Sequence, residues 1–189
     1  MSGQYWLKMI LNPFDPWKNR LCTCPSKLSL NPYTGCPHGC LYCYARSYIP
    51  HFSCCRPKAD LPRRLDREAA RVPPGRLVAM SSSSDPYPPM EEELCLSRSC
   101  LKILRDRGLA VQVVTKSCLV ARDAHLLAGM RASVAITLTT LDDSISRILE
   151  SRAALPGQRL KAMEKLAALG VPVSARIDPI IPGINDAEI

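Results

Sequence analysis

No stretch of this sequence approaches 18 consecutive apolar residues, which leaves no candidate for a transmembrane helix. A signal-peptide layout is missing too: Lys8 interrupts the apolar stretch near the N-terminus and Pro13 ends it. Both absences point to a cytoplasmic protein. No internal repeat recurs at a period of about 20–50 residues, so solenoids and propellers are not indicated. Nine glycines and 17 prolines stay below low-complexity content, and 47% apolar residues argue against a disordered chain. At 189 residues, one domain with a real core is the expectation. Two things are abundant: ten cysteines, and 25 Lys+Arg against 17 Asp+Glu, a net charge of +8. In a reducing compartment, clustered cysteines more often hold metal or carry chemistry than form disulfides.

The positive charge favours an anionic partner, nucleic acid first. It is unevenly spread. Arg56, Lys58, Arg63, Arg64, Arg67, Arg71 and Arg76 face only Asp60, Asp66 and Glu68, so this segment carries +4, half of the total. A plain solvated helix face, with Arg64 and Glu68 at i,i+4 spacing, explains such a run equally well. Charge alone names no substrate.

Residues 1–26 read as an irregular N-terminal extension, broken by Pro13, Pro16 and Pro25 and carrying Tyr5, Trp6, Phe14 and Trp17. From residue 27 to 189 strands and helices alternate. Strands are expected at 27–31, 76–81, 109–115, 132–140 and 171–177. Helices are expected at 61–71, 91–107, 122–130 and 158–169, the last with Leu160, Met163, Leu166 and Ala167 on its apolar face. This alternation implies βαβ units and a mainly parallel α/β sheet. In such folds the chemistry sits in loops after the carboxyl ends of the strands.

One of those loops holds NPYTGCPHGCLYCYAR, with Cys36, Cys40 and Cys43. Gly35 and Gly39 give the loop the dihedral freedom to aim three thiolates at one small volume. Three thiolates fall short of structural zinc, which takes four closed ligands. A 4Fe–4S cluster on three thiolates keeps one iron open for another ligand, a catalytic arrangement. Two alternatives stand beside it. His38 could complete a zinc site, although it lies inside the loop with poor reach. Cys22, Cys24, Cys54 or Cys55 could close a zinc or ferredoxin-like site, and Cys22-x-Cys24 is a weak candidate for a second one. Cys95, Cys100 and Cys118 read most simply as small buried apolar residues, and His125 as structural.

Cys36-x3-Cys40-x2-Cys43, with Tyr42 before the last cysteine, resembles the signature of the radical S-adenosylmethionine (SAM) superfamily. The segments SSSSDPYPPMEEE, VVTKS, ITLTTLDD and RIDPIIPGIND then follow in order, and resemble the branch related to spore photoproduct lyase. The resemblance covers Leu28 to Ile189. It implies a partial (βα)6 TIM-like barrel in which Cys36, Cys40 and Cys43 hold a 4Fe–4S cluster. The open iron chelates SAM, one electron cleaves SAM, and a 5′-deoxyadenosyl radical abstracts hydrogen from a substrate. It implies an electron donor of the ferredoxin or flavodoxin type and makes nucleic acid a candidate substrate.

The same resemblance suggests roles by position. The Ser83-Ser84-Asp85 loop resembles the segment that binds the SAM amino group; a Ser/Asp/Pro turn is the plain alternative. Lys116, ending the third strand, is placed to pair with the SAM carboxylate. Thr139 and Thr140, ending the fourth, are placed for the ribose or serve as sheet formers. Arg176 joins the cofactor set from the end of the fifth strand, where it can also pair with Asp178. Tyr42 is expected to shield the cluster and touch adenine.

The sequence departs from the branch twice. The lyase has a hydrogen-donating cysteine in the loop after its second strand, where Ser81 to Ser84 stand here. A serine O–H is a far poorer hydrogen-atom donor, which argues against thymine-dimer repair. The sequence also ends at Ile189, before a sixth strand, and reads as truncated after the fifth. The rival reading from another class is a nonenzymatic nucleic-acid-binding module with a structural zinc or a closed iron–sulfur site.

Overall fold

A computed structural model describes residues 9–14 and 25–188. Six strands form one sheet: β1 (Asn12–Phe14), β2 (Lys27–Leu30), β5 (Leu77–Met80), β6 (Ala110–Thr115), β7 (Ala132–Thr137) and β8 (Val173–Arg176), in that spatial order. A separate antiparallel ribbon pairs β3 (Tyr33–Thr34) with β4 (Arg56–Pro57). From β2 to β8 every pairing is parallel, and β1 joins β2 antiparallel. Strand order thus follows chain order without reversal. With right-handed crossovers, such an order puts the connecting helices on one face, as in a barrel that is wound once. Among the described residues the sheet is not closed.

The two faces differ as that topology requires. In register, Val78 lies beside Val111, Met80 beside Val113, and Val113 beside Val134. These residues and Ile136 are buried in one apolar core with Leu61 and Leu65 of α1 (Leu61–Ala69), Leu101 and Leu104 of α3 (Leu96–Asp106), and Leu166 of α6 (Pro156–Ala168). Burying each such side chain is worth about 2 kcal/mol. The alternate residues, Ser29, Ala79, Gln112 and Ser133 in one row and Val114, Ala135 and Ser174 in the next, are mostly small or polar. That face does not fill itself, and it leaves room above it.

Four expectations are corrected. The helix expected at 91–107 is two helices, α2 (Glu91–Leu94) and α3, broken at Cys95 with φ +49°. The break lets the buried Glu91 carboxylate accept from Ser97 N (2.8 Å) and Arg98 N (3.2 Å), capping α3. Besides α4 (Ala124–Ala128), a helix not foreseen, α5 (Asp143–Leu149), starts at Asp142, whose Oδ1 accepts from Ser144 N and Ile145 N. On α6 the buried stripe is Pro156, Arg159, Ala162 and Leu166, while Leu160 is exposed. Finally, Asn12–Phe14 forms a strand within the stretch read as irregular. Glu68, spaced for Arg64, accepts there from Ile10 N and Leu11 N at 2.8–3.0 Å. Tyr5, Trp6, Trp17, Cys22 and Cys24 lie outside the described residues. No helix among the described residues is long and apolar enough to cross a membrane.

Candidate functional site

The cysteine loop runs from β3 into a 3-10 turn at Tyr44–Ser47. Gly35, at φ +79°, opens it where a Cβ would stand 2.4 Å from the Phe52 carbonyl oxygen. Only glycine fits there. Cys36 N donates to that same oxygen (2.8 Å), Leu41 N to Leu149 O (2.9 Å), and Arg152 N to His38 O (3.0 Å). The loop is therefore laced to residues 52–54 on one side and to the end of α5 on the other. Cys36, Cys40 and Cys43 are free thiols. All three line a cavity of about 270 Å³ whose other walls include Ser81 to Ser84, Lys116 and Arg176, at the carboxyl ends of β5, β6 and β8. They also line a second cavity of about 270 Å³, which shares none of those strand-end residues and includes Leu41, Arg46 and Arg152.

Two polar networks fix this wall. In the first, Asp85 accepts at Oδ1 from Tyr87 N (2.9 Å) and Thr115 Oγ1 (2.7 Å), and at Oδ2 from Lys116 N (2.8 Å). His38 Nε2 lies 3.2 Å from Oδ2. Burial alone would raise this carboxyl; the imidazole, with the Lys116 N and Thr115 donors, outweighs it and holds it at about 2. In the second, the buried Glu150 carboxylate meets Arg159 Nη2 (2.5 Å), Thr139 Oγ1 (2.6 Å) and the Tyr42 hydroxyl. Burial opposes its charge too, and Arg159 with these donors keeps it below the usual carboxylate range. Lys116 Nζ stands 3.9 Å from Glu150 Oε1 and 5.5 Å above the Tyr42 ring, an exposed-enough ammonium on the cavity wall. Burial, helped by the Asp85 charge, pushes the Cys36 thiol up to about 12; burial raises Cys40 as well, against the Lys116 charge. Metal binding is what deprotonates such thiols.

The sequence model of the Radical SAM superfamily matches residues 30–189. This chain belongs to the radical SAM superfamily. It is 31% identical over 170 residues to an uncharacterized protein of Methanocaldococcus jannaschii, covering 86% of this chain and 64% of that one. An uncharacterized protein of Mycobacterium tuberculosis is 28% identical over 178 residues, covering 86% and 52%. The chain thus spans about half to two thirds of the length of the curated relatives it matches. Among solved structures, spore photoproduct lyase complexed with dinucleoside spore photoproduct superposes with a TM-score of 0.61 at 17% identity, over 82% of this chain and 46% of that one. Native anSMEcpe with bound AdoMet gives 0.56 at 15% identity, over 78% and 42%. At these identities the likeness shows the fold: a partial radical SAM barrel, as expected.

The cofactors of a radical SAM protein are a 4Fe–4S cluster and SAM, and the residues here fit them. Cys36, Cys40 and Cys43 are free thiols on the wall of one cavity, the donor type such a cluster takes. His38, 4% exposed on the same cavity, meets Asp85 Oδ2 through Nε2 at 3.2 Å, while its Nδ1 has no hydrogen bond among the described residues.

The sequence-predicted cofactor residues divide. Tyr42, Ser84, Asp85, Lys116 and Arg176 line the cavity of the cysteines; Thr139 and Thr140 do not. Thr139 serves Glu150, and Thr140 Oγ1 accepts from Asp142 N (3.0 Å), the residue that starts α5. Ser84 Oγ donates to Tyr33 O (2.8 Å), and both Asp85 oxygens accept from protein groups. Ser81, at φ +87°, turns the serine loop over the cavity, and Asn31 Oδ1 holds it through Ser82 N (3.1 Å) and Ser83 N (3.2 Å). Arg176 pairs with Asp178 at 2.6 Å. None of the seven basic residues between 56 and 76 lines either cavity. Sequence reasoning misses Glu150, Arg159 and Asn31. A signal exists for Arg159, which falls on the i, i+3 stripe of α6 with Pro156, Ala162 and Leu166.

Proposed function

We propose that this chain is the SAM-cleaving core of a radical SAM enzyme that abstracts hydrogen from a nucleic acid. The observation that carries the reading is the shared wall: three free thiols and the Lys116 ammonium on one cavity at the carboxyl ends of parallel strands. When bound, the cluster and SAM supply one-electron cleavage of a carbon–sulfur bond and a radical able to take hydrogen. This chain's residues do the rest. Cys36, Cys40 and Cys43 hold iron, Lys116 attracts the SAM carboxylate, and the serine loop walls the space where a substrate C–H must enter. Nucleic acid as substrate draws support from the net charge of +8 and from the lyase neighbour, which was solved with a dinucleoside photoproduct. With serines at 81–84, the product radical has no thiol to quench it in that loop, which favours a modification over dimer repair.

The test is anaerobic reconstitution with iron and sulfide, reduction, and addition of SAM. Formation of 5′-deoxyadenosine is expected, and Cys40→Ala should abolish both the cluster absorbance and the product. A colourless protein that holds one zinc and ignores SAM would overturn the reading. Oligonucleotide binding should weaken steeply as salt rises; salt-independent or absent binding would remove nucleic acid as the substrate.

A further inference from the structure

Cys36, Cys40 and Cys43 line two cavities. The first, at the strand ends, is where SAM and substrate belong. The second is made by the cysteine loop itself with residues just past α5, and it leaves the first free. Resting on the function proposed above, we infer that this second cavity and its rim are the docking face for a small acidic electron-carrier protein.

Charge is the first argument. Arg46 and Arg152 line this cavity, and no carboxylate does. Arg147 is exposed on α5. Among the described residues none of the three has an ion-pair partner, whereas Arg98, Arg107 and Arg122 are each held by an Asp or Glu within 4 Å. Two guanidinium groups without an ion-pair partner on the wall of this cavity will attract an anionic protein and orient it.

The second argument is apolar surface. Leu41, on the cavity, is 64% exposed, and Ile148, one residue before its partner Leu149, is 66% exposed. Aliphatic groups among arginines suit a small, transient protein contact. Phosphates make no use of them, and none of the basic residues of α1 lines this cavity. The step that such docking serves is balanced. One electron leaves the reduced carrier and one is gained at the iron–sulfur site on these thiolates; no proton moves and no bond is made or broken.

The experiment titrates the cluster-loaded protein, without oxygen, against a fluorescently labelled acidic flavodoxin at rising NaCl. Saturable binding should weaken by about tenfold or more between about 50 and 300 mM salt. Arg46→Glu with Arg152→Glu should weaken it by at least about tenfold at low salt, while Arg63→Glu with Arg67→Glu on α1 stays within about twofold. The readout is a dissociation constant, separate from turnover. If dithionite drives no 5′-deoxyadenosine formation in the unsubstituted protein, the enzyme reading fails and the proposal with it. If dithionite works but flavodoxin does not bind, or binds without regard to salt and to the paired substitution, the docking face alone is wrong. Loss of oligonucleotide binding in that variant, with flavodoxin binding intact, assigns the face to nucleic acid and also overturns the proposal. Should the paired variant lose its cluster absorbance, Arg147→Glu and the salt series decide: unchanged affinity in both sinks it.

Discussion

Asp85 shows how far one carboxylate can be used up. On the cavity of the cysteines, it joins the serine loop, the end of β6 and the cysteine loop. Asp85→Asn would turn an amide N–H toward groups that are themselves donors. It should cost about 2–4 kcal/mol in urea unfolding, because buried donors lose a charged acceptor. The sign of its pH effect follows from a folded value near 2, below the unfolded value of 3.8. The stabilisation is complete above the unfolded value and is lost as pH falls through about 2, so the wild-type advantage over the variant should shrink from pH 5 to pH 2. Glu150 and Arg159 make a second test. Either residue alone changed to Leu strands a buried charge, at about 3–5 kcal/mol, whereas the double Leu variant should lose less than the worse single one. A double variant as costly as the sum would refute this. The cysteines are legible in the sequence because their ligand role is local, contained in the eight residues from Cys36 to Cys43. Glu150 is not, since its link to Tyr42 spans 108 positions and only the fold brings the two together.

At the scale of elements, backbone conformation decides more than apolar pattern. Gly35→Ala places a methyl against the Phe52 carbonyl and should displace the cysteine loop, cutting cluster incorporation severely while the rest still folds. Gly129→Ala, at a negative φ with its nearest neighbour at 3.6 Å, is the control and should be neutral or stabilising by up to about 1 kcal/mol in thermal unfolding. If both variants incorporate iron equally well, the loop is not held as described. Helix positions are largely legible from periodicity, but the break at Cys95 is not. An acidic first turn at Glu91 to Glu93 looks like a solvated helix start, and nothing local says that Glu91 turns inward to Tyr33 (2.5 Å) and Ser97. The apolar face of α6 is misread for the same reason: a buried arginine, paid for by Glu150 and Thr137 O, occupies a position that pattern reserves for leucine.

For the whole molecule, the apolar core and the thiols are separate. Val78, Val111, Val113, Val134 and Ile136 belong to the core cluster, and none of the three motif cysteines does. Stripping iron with a chelator should therefore bleach the protein yet leave its far-UV circular dichroism and cooperative unfolding; collapse of both would show that metal holds the fold. The parallel α/β class is legible because each βα step writes its own pattern. The site is legible where strand ends carry it and illegible where buried ion pairs support it. Strand order has one more consequence, and it concerns time. Each parallel strand pairs with one made earlier, about 20–50 residues before it in the chain, and the loop-closure cost of such spans grows slowly. A chain leaving the ribosome meets a ready template at every step, so protection from protease on stalled chains of increasing length should grow strand by strand from β2. Alignment errors would be inherited rather than corrected, which makes the earliest parallel pairing, β2 with β5, the one on which all later parallel registers depend.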